Sequence, residues 1–312
     1  MDLLWIILLM LFLNLYAVTD GFAIGVGMLL HRMGRTSEQR RTLLTVIGPF
    51  FLGNEVWLVV AGGVLAGAFP LAEARLSEGL YLMVVAGLLI WASRDASIWF
   101  RSRLASVRWR VAWDRVLNVA SVAFAAFWGA AVGAALHGTG PFTLVWATVA
   151  VVLLAAHGAV FAALRSPAEL AVDAQALASR LLGPAAVLLA LAPLTGFLIG
   201  GLPGESLPLA VPVAVPVAVG GAGAAALWTA RTAVRAESYG RAVALTSTAI
   251  TSVTVLVGVR LGPELAQAAA GAESLRVLGG FALILLPLLA GAQVWMWRTF
   301  RQRVDARTVL FF

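Results

Sequence analysis

The run from Thr45 to Phe69 is long enough to cross a bilayer, which takes about 20 apolar residues, yet it carries Asn54 and Glu55 in its middle. An ionisable side chain at that depth costs about 2.5–3.5 kcal/mol or more, so it must face a partner inside the protein. The first apolar run is interrupted in the same way, at Thr19-Asp20-Gly21. Any fold for this chain has to bring these side chains together or give each a neighbour.

Composition sets the setting for that problem. The chain has 312 residues, 61% hydrophobic and 12% charged, with a mean hydropathy of +0.94. Such values exclude a soluble domain of this length and fit a polytopic helical membrane protein. Cysteine is absent, which excludes disulfides, thiolate metal sites and iron–sulfur clusters. All 22 basic residues are arginine and the net charge is +7. A nucleic-acid role does not follow, because the arginines sit at the ends of apolar runs and not on one basic face. No cleavable signal peptide is expected, since the N-terminus lacks a positive n-region.

Nine spans are predicted, at 3–30, 43–69, 77–100, 114–136, 142–164, 182–202, 207–230, 241–261 and 275–298. Their orientation follows from arginine placement. Alternate connections hold Arg32, Arg35, Arg40 and Arg41; then Arg101, Arg103, Arg108, Arg110 and Arg115; then Arg165 and Arg180; then Arg231, Arg235 and Arg241; the C-terminal tail holds Arg298, Arg301, Arg303 and Arg307. The opposite connections hold only Arg75, Arg260 and Arg276. The alternation puts the N-terminus outside and the C-terminus in the cytoplasm. The external connections, 70–76, 137–141, 203–206 and 262–274, are too short to form a domain. The expected fold class is therefore an all-α integral membrane protein of nine transmembrane helices.

Small residues four apart recur at Gly21 and Gly25, Gly63 and Gly67, Gly129 and Gly133, and Gly196 and Gly200, a spacing that lets helix backbones approach closely. Pro212 and Pro216 are expected to bend the seventh span. No sequence repeat relates the two halves.

Counting residues from the arginine-rich side puts Asp20 about 15 Å deep and Glu55 about 18 Å deep. Consecutive spans are usually neighbours, so the two carboxyls are expected at one level, where burial and mutual repulsion favour a proton on at least one. They serve either as a proton relay or as neutral acids that hydrogen-bond helices together. Arg94 and Asp95 lie in the third span, where Arg94 either neutralises a carboxylate or snorkels to the headgroups. Of the three histidines, His31 and His137 fall at span ends. His157 lies within a span but lacks a second candidate ligand, so haem ligation is not expected of it. No zinc or di-iron spacing occurs.

Several segments resemble subunit II of the cytochrome bd quinol oxidases. They are TDGFAIGVGML (Thr19 to Leu29), the following Gly34-Arg35 and Gln39-Arg40-Arg41, IGPFFLGNEVWLVVAGG (Ile47 to Gly63), Ala68-Phe69-Pro70, WRVAWDRV (Trp109 to Val116), HGAVFAAL (His157 to Leu164), Pro167 to Leu170, and AQVWMWRTF (Ala292 to Phe300). The likeness runs in the same order over nearly the whole chain and is most specific in the first seventy residues. It implies two four-helix bundles, 1–137 and 142–262, then a peripheral helix at 275–298 and a cytoplasmic tail at 299–312. It implies a heterodimer with a haem-bearing subunit I in a bacterial inner membrane, with contacts to lipid and the quinone pool and sometimes a small accessory subunit. This chain would carry no haem or metal, could hold a structural quinone, and would scaffold an enzyme that oxidises quinol and reduces oxygen to water. The proton-path candidates on that reading are Asp20, Glu55, Asn54, Asp95 and Arg94.

Three departures accompany the resemblance. The family usually has acids where this chain has Ala23, Leu52 and Trp99, toward the cytoplasmic ends of the first three spans. Asp95 is an extra acid near the same level. Two consequences are expected as alternatives: protons enter through subunit I or by way of Asp95, or the chain is a divergent structural paralogue. A secondary transporter is a third reading, which the odd span number and the lack of an inverted repeat fit poorly.

Overall fold

A computed structural model of the chain describes residues 2–79, 81–199 and 210–304. The described residues form eleven helices and no strand: α1 Asp2–Met33, α2 Ser37–Ile47, α3 Phe51–Ala68, α4 Pro70–Gly79, α5 Tyr81–Phe100, α6 Val107–His137, α7 Phe142–Arg165, α8 Ala168–Ile199, α9 Ala210–Arg235, α10 Tyr239–Gln267 and α11 Ala272–Thr299. Among them α1, α3, α5, α6, α7, α8, α10 and α11 are long and apolar enough to cross a membrane. The span expected at 207–230 coincides with α9 from Ala210 onward; 207–209 lie outside the described residues.

The second expected span is corrected. The run 43–69 is not one helix but the end of α2, a turn at Gly48-Pro49-Phe50, and α3. The cause is local. Pro49 has no N–H and its ring clashes with the preceding turn, so α2 ends at Gly48, whose N–H bonds back to Leu44 O at 2.8 Å. The segment 70–76, expected as a loop, is also helical. It forms most of α4, which starts on Pro70, a residue whose fixed φ suits the first helical position. Several helices outrun their expected spans. α1 and α8 have 32 residues each, about 48 Å, so they project beyond a hydrocarbon core about 30 Å thick.

Helix α2 begins at a capping box. Thr36 accepts from the Gln39 N–H at 3.2 Å, and the Gln39 side chain accepts from the Thr36 N–H at 3.2 Å.

Helix α1 organises the core. It packs against α3, α6, α7 and α10, and every residue from Asp20 to Leu30 is buried. Its contact with α7 depends on two glycines. A Cβ on Gly25 would stand 2.0 Å from Leu154 O, and one on Gly158 would stand 2.5 Å from Gly25 Cα. The backbones cross with no room for a side chain between them. Gly129 and Gly133 allow the same approach of α6 to α7, with the added Cβ 2.2 Å from Trp146 O and 2.8 Å from Phe142 O. Gly63 meets open space, so the pair Gly63–Gly67 makes no such seam. The fourth pair includes Gly200, which lies outside the described residues.

The rest of the packing follows chain order. Helix α5 lies on α6, α6 on α7, α7 on α8, α8 on α9, and α9 on α10, which returns to α1. Helix α11 packs against α3 and exposes most of its length; of its side chains only Leu275 and Met296 are buried. Gln293 holds it there, donating to Gly53 O at 2.6 Å.

Candidate functional site

Helices α1, α3 and α5 bring four of the five candidate side chains into one cluster. Arg94 donates from Nη2 to Asp20 Oδ1 at 2.9 Å, and both side chains are fully enclosed. Its Nη1 lies 3.3 Å from Asp95 Oδ1 and 3.7 Å from Glu55 Oε1. Asn54, the fifth, is not part of the ion cluster. Its Nδ2 donates to Thr19 O at 2.6 Å and ties α3 to α1 one residue from Asp20.

The expected meeting of Asp20 and Glu55 at one level therefore occurs, but through an intermediary. The depth count for Glu55 assumed a continuous helix from residue 43, which the turn at Pro49 breaks. The two carboxyls are bridged by a guanidinium and do not confront each other directly. Arg94 does not snorkel: it is 0% exposed.

Sequence reasoning missed three features, two of them neighbours of this cluster. The Trp91 indole, one turn before Arg94 on α5, donates to Glu55 Oε1 at 3.2 Å. Tyr16 stands one turn before Asp20 on the same face of α1, with its hydroxyl enclosed beside the Asp20 carboxyl. Spacing of four residues from Asp20 was the available signal for Tyr16; three residues from Arg94 was the signal for Trp91. The third is a separate buried ion triad. Asp114, 0% exposed, accepts from Arg40 Nε at 2.7 Å and from Arg101 Nε. Arg101 Nη2 also reaches Ser37 O at 3.1 Å, and Arg40 Nη1 reaches Arg35 O at 3.1 Å. The triad locks the start of α2 and the end of α5 onto α6. In the sequence Arg40 and Arg101 counted toward orientation, and Arg40 also toward the family likeness, but neither as a partner of Asp114.

Exposure is graded across the cluster. The side chains of Asp20 and Arg94 are closed, that of Glu55 is 9% exposed and that of Asp95 is 19% exposed. The open side lies between α3 and α5. Leu52 and Trp99, two of the three departures, stand on that side, and both are exposed. Ala23, the third, is wholly buried in α1. Each lies about one turn from a cluster member, with Ala23 three residues from Asp20, Leu52 three from Glu55 and Trp99 four from Asp95.

His157 is committed on both ring nitrogens, to Thr246 Oγ1 at 2.7 Å and to Val18 O at 3.0 Å. A carbonyl only accepts, so Nε2 carries the proton and Nδ1 accepts from the threonine. It is a hydrogen-bonded link between α7, α10 and α1, with no nitrogen free to ligate iron. No group of three or more His, Asp and Glu side chains that could hold a metal ion occurs among the described residues.

A polar cluster closed on one side and enclosed by apolar helices defines a multi-pass helical membrane protein with an ionisable interior. Comparison with known proteins makes that class specific. The family described as cytochrome bd terminal oxidase subunit II matches residues 1–300, and the chain belongs to it. A Bacillus subtilis relative, described as cytochrome bd ubiquinol oxidase subunit 2, is 27% identical over 337 residues, covering 97% of this chain and 96% of its own. An Escherichia coli K12 relative, cytochrome bd-I ubiquinol oxidase subunit 2, is 32% identical over 194 residues, 56% of this chain and 51% of its own. A Haemophilus influenzae protein described as a probable cytochrome oxidase subunit 2 is 30% identical over 175 residues, 50% of this chain and 46% of its own.

Proposed function

We propose that this chain is the haem-free subunit II of a bacterial inner-membrane quinol oxidase, oriented with its N-terminus outside, and that it handles protons through Asp20, Arg94, Glu55 and Asp95. The observation that carries the proposal is the bridging of three carboxyls by the single guanidinium of Arg94. One cation balances one carboxylate. Charge balance in a low-dielectric interior then asks for protons on the others, and such protons exchange when the neighbouring charge changes. The gradation of exposure gives the cluster a direction, from closed Asp20 to Asp95 at the rim.

Asp95 takes the place of the acids that relatives of this family usually carry one turn further toward the arginine-rich end. The α3–α5 face, with Leu52 and Trp99 outward, suits cover by the haem-bearing subunit I. On this reading 1–137 and 142–262 are two four-helix bundles, with α11 as the peripheral helix.

The structural quinone is assigned to the cavity among α1, α6, α7 and α10, which has a volume of about 170 Å³. Its lining is apolar except for groups that donate hydrogen bonds. Tyr16, Trp128 and Trp146 line it, and both indole N–H groups are buried without partners. The two indole donors beside an apolar space suit the two carbonyls of a quinone ring, which would act there as a buried structural group.

Purification from native membranes tests the assembly. A larger partner with a haem spectrum supports the proposal. A colourless, stable, solitary protein with a bound solute overturns it and favours a transporter.

A further inference from the structure

A second unusual cation lies at the joint between α7 and α8. Arg165 is the last residue of α7 and is 6% exposed. Its guanidinium carbon stands 5.3 Å from the Phe50 ring centre and 6.0 Å from that of Phe161. Ring faces attract the cation but do not neutralise its charge or accept from its five donors. Every other buried arginine among the described residues has a carboxylate: Arg40 and Arg101 have Asp114, and Arg94 has Asp20. Arg165 has none within 4.0 Å among the described residues. Glu169, four residues on, does not pair with it, and Asp173 faces Arg35 at 3.9 Å instead.

A second observation at the same joint points the same way. Ser166 is 0% exposed, and its Oγ is enclosed without a hydrogen-bond partner. Its backbone closes α7, donating to Ala162 O at 2.8 Å, and the chain turns at once into α8. In α8 the Ala171 N–H bonds to Pro167 O, which leaves the N–H groups of Ala168 and Glu169 at the positive end of a 32-residue helix. The C-terminal segment returns over this place. Val304 N–H donates to Arg165 O at 2.9 Å, and Arg303 lies 6.0 Å from the Tyr239 ring centre. A guanidinium and a hydroxyl that have no partner among the described residues thus adjoin a helix N-terminus at the arginine-rich end of the bundle.

We propose that Arg165, Ser166 and the first turn of α8 bind one phosphate oxyanion, that of an anionic phospholipid headgroup. The phosphate takes the guanidinium edge left free beyond the phenyl rings. The Ser166 hydroxyl turns on a single bond to donate to it, and the acyl chains lie along the exposed apolar flank of the helices. The phosphodiester matches the planar donor fork of arginine, and the site stands at the headgroup level of the helix ends. The proposal does not depend on the proton-handling role of the Asp20–Arg94 cluster.

The test uses the complex purified from its own membranes, as wild type and as Arg165→Gln, Arg165→Lys and Ser166→Ala. Native mass spectrometry counts retained phospholipid, and melting is followed after delipidation and addition of either dioleoylphosphatidylglycerol or inorganic phosphate. The expected result is one phospholipid fewer on Arg165→Gln, a rise in Tm of about 2–4 °C with phosphatidylglycerol on wild type, and a smaller rise on Arg165→Lys and Ser166→Ala. If Arg165→Gln does not assemble, the two milder variants carry the comparison. Equal lipid retention and equal Tm response in wild type and variants overturn the proposal. A rise with inorganic phosphate alone overturns the lipid as source. Loss of the partner subunit from Arg165→Gln with unchanged lipid assigns the guanidinium to a partner carboxylate and overturns the site.

Discussion

Arg94 and Asp20 form an ion pair at 2.9 Å with neither side chain exposed, and the pair joins α5 to α1 across a gap that few other contacts bridge. Two charges taken from water into this interior hold each other there. Removing Arg94 strands Asp20, whereas removing Asp20 leaves Arg94 with Asp95 at 3.3 Å and Glu55 at 3.7 Å.

Breaking that pair is expected to be costly, and removing both partners less so. Arg94→Gln alone should destabilise the assembled protein by about 3–5 kcal/mol, because Asp20 is left buried without its cation, and Asp20→Asn should cost less, because Arg94 keeps Asp95 and Glu55. The double variant Asp20→Asn with Arg94→Gln should recover part of that loss. Melting of the four proteins in detergent gives the coupling, and additive losses would show that the two side chains act independently.

The Asp114 triad is expected to behave as a clasp. Asp114→Ala strands both Arg40 and Arg101 and should cost about 3–5 kcal/mol. Limited proteolysis would then cut first at 34–37 and 101–106, the segments the triad holds. Wild-type resistance of both segments in a folded Asp114→Ala protein would show that other contacts hold them.

The α1–α7 crossing makes a contrast between glycines. Gly25→Ala places a Cβ 2.0 Å from Leu154 O, so the helices must separate, at a cost of about 1–3 kcal/mol or more. Gly62→Ala meets nothing within 4 Å in α3 and should be neutral or gain about 0.5–1 kcal/mol from helix propensity. Yield and Tm of the two variants side by side check this; equal behaviour would mean that the crossing tolerates a side chain.

Much of this was legible in the sequence, and the exceptions have physical reasons. Runs of apolar residues bounded by arginines located most of the helices, because length and hydropathy decide what can cross a membrane. Arg94, Asp20, Glu55 and Asp95 were identifiable as ionisable residues too deep to be solvated. What could not be read was their connection. Helix rotation is set by packing, so nothing in the sequence required Arg94 to stand between Asp20 and Glu55. Asp114 was hidden for the opposite reason. It lies near a helix end among many arginines, where charge is ordinary, and only the fold shows that Arg40 and Arg101 converge on it. Pro49 carried a signal that hydropathy overrode: an apolar run looked continuous although its proline ended α2 at Gly48. The Arg165 site depends on what is missing around a side chain, and a sequence does not display a missing neighbour.

The central claim, that the Arg94-bridged carboxyls handle protons for an oxidase, is tested most directly by quinol-driven oxygen consumption. The measurement uses the purified complex carrying Glu55→Gln, Asp95→Asn or both, with rates expressed per haem. Both substitutions keep side-chain size and hydrogen-bonding capacity, so assembly and haem content should hold. The account predicts that the double variant turns over at least about tenfold more slowly than wild type. Wild-type turnover at wild-type haem content would contradict it and leave the cluster a purely structural tie between α1, α3 and α5.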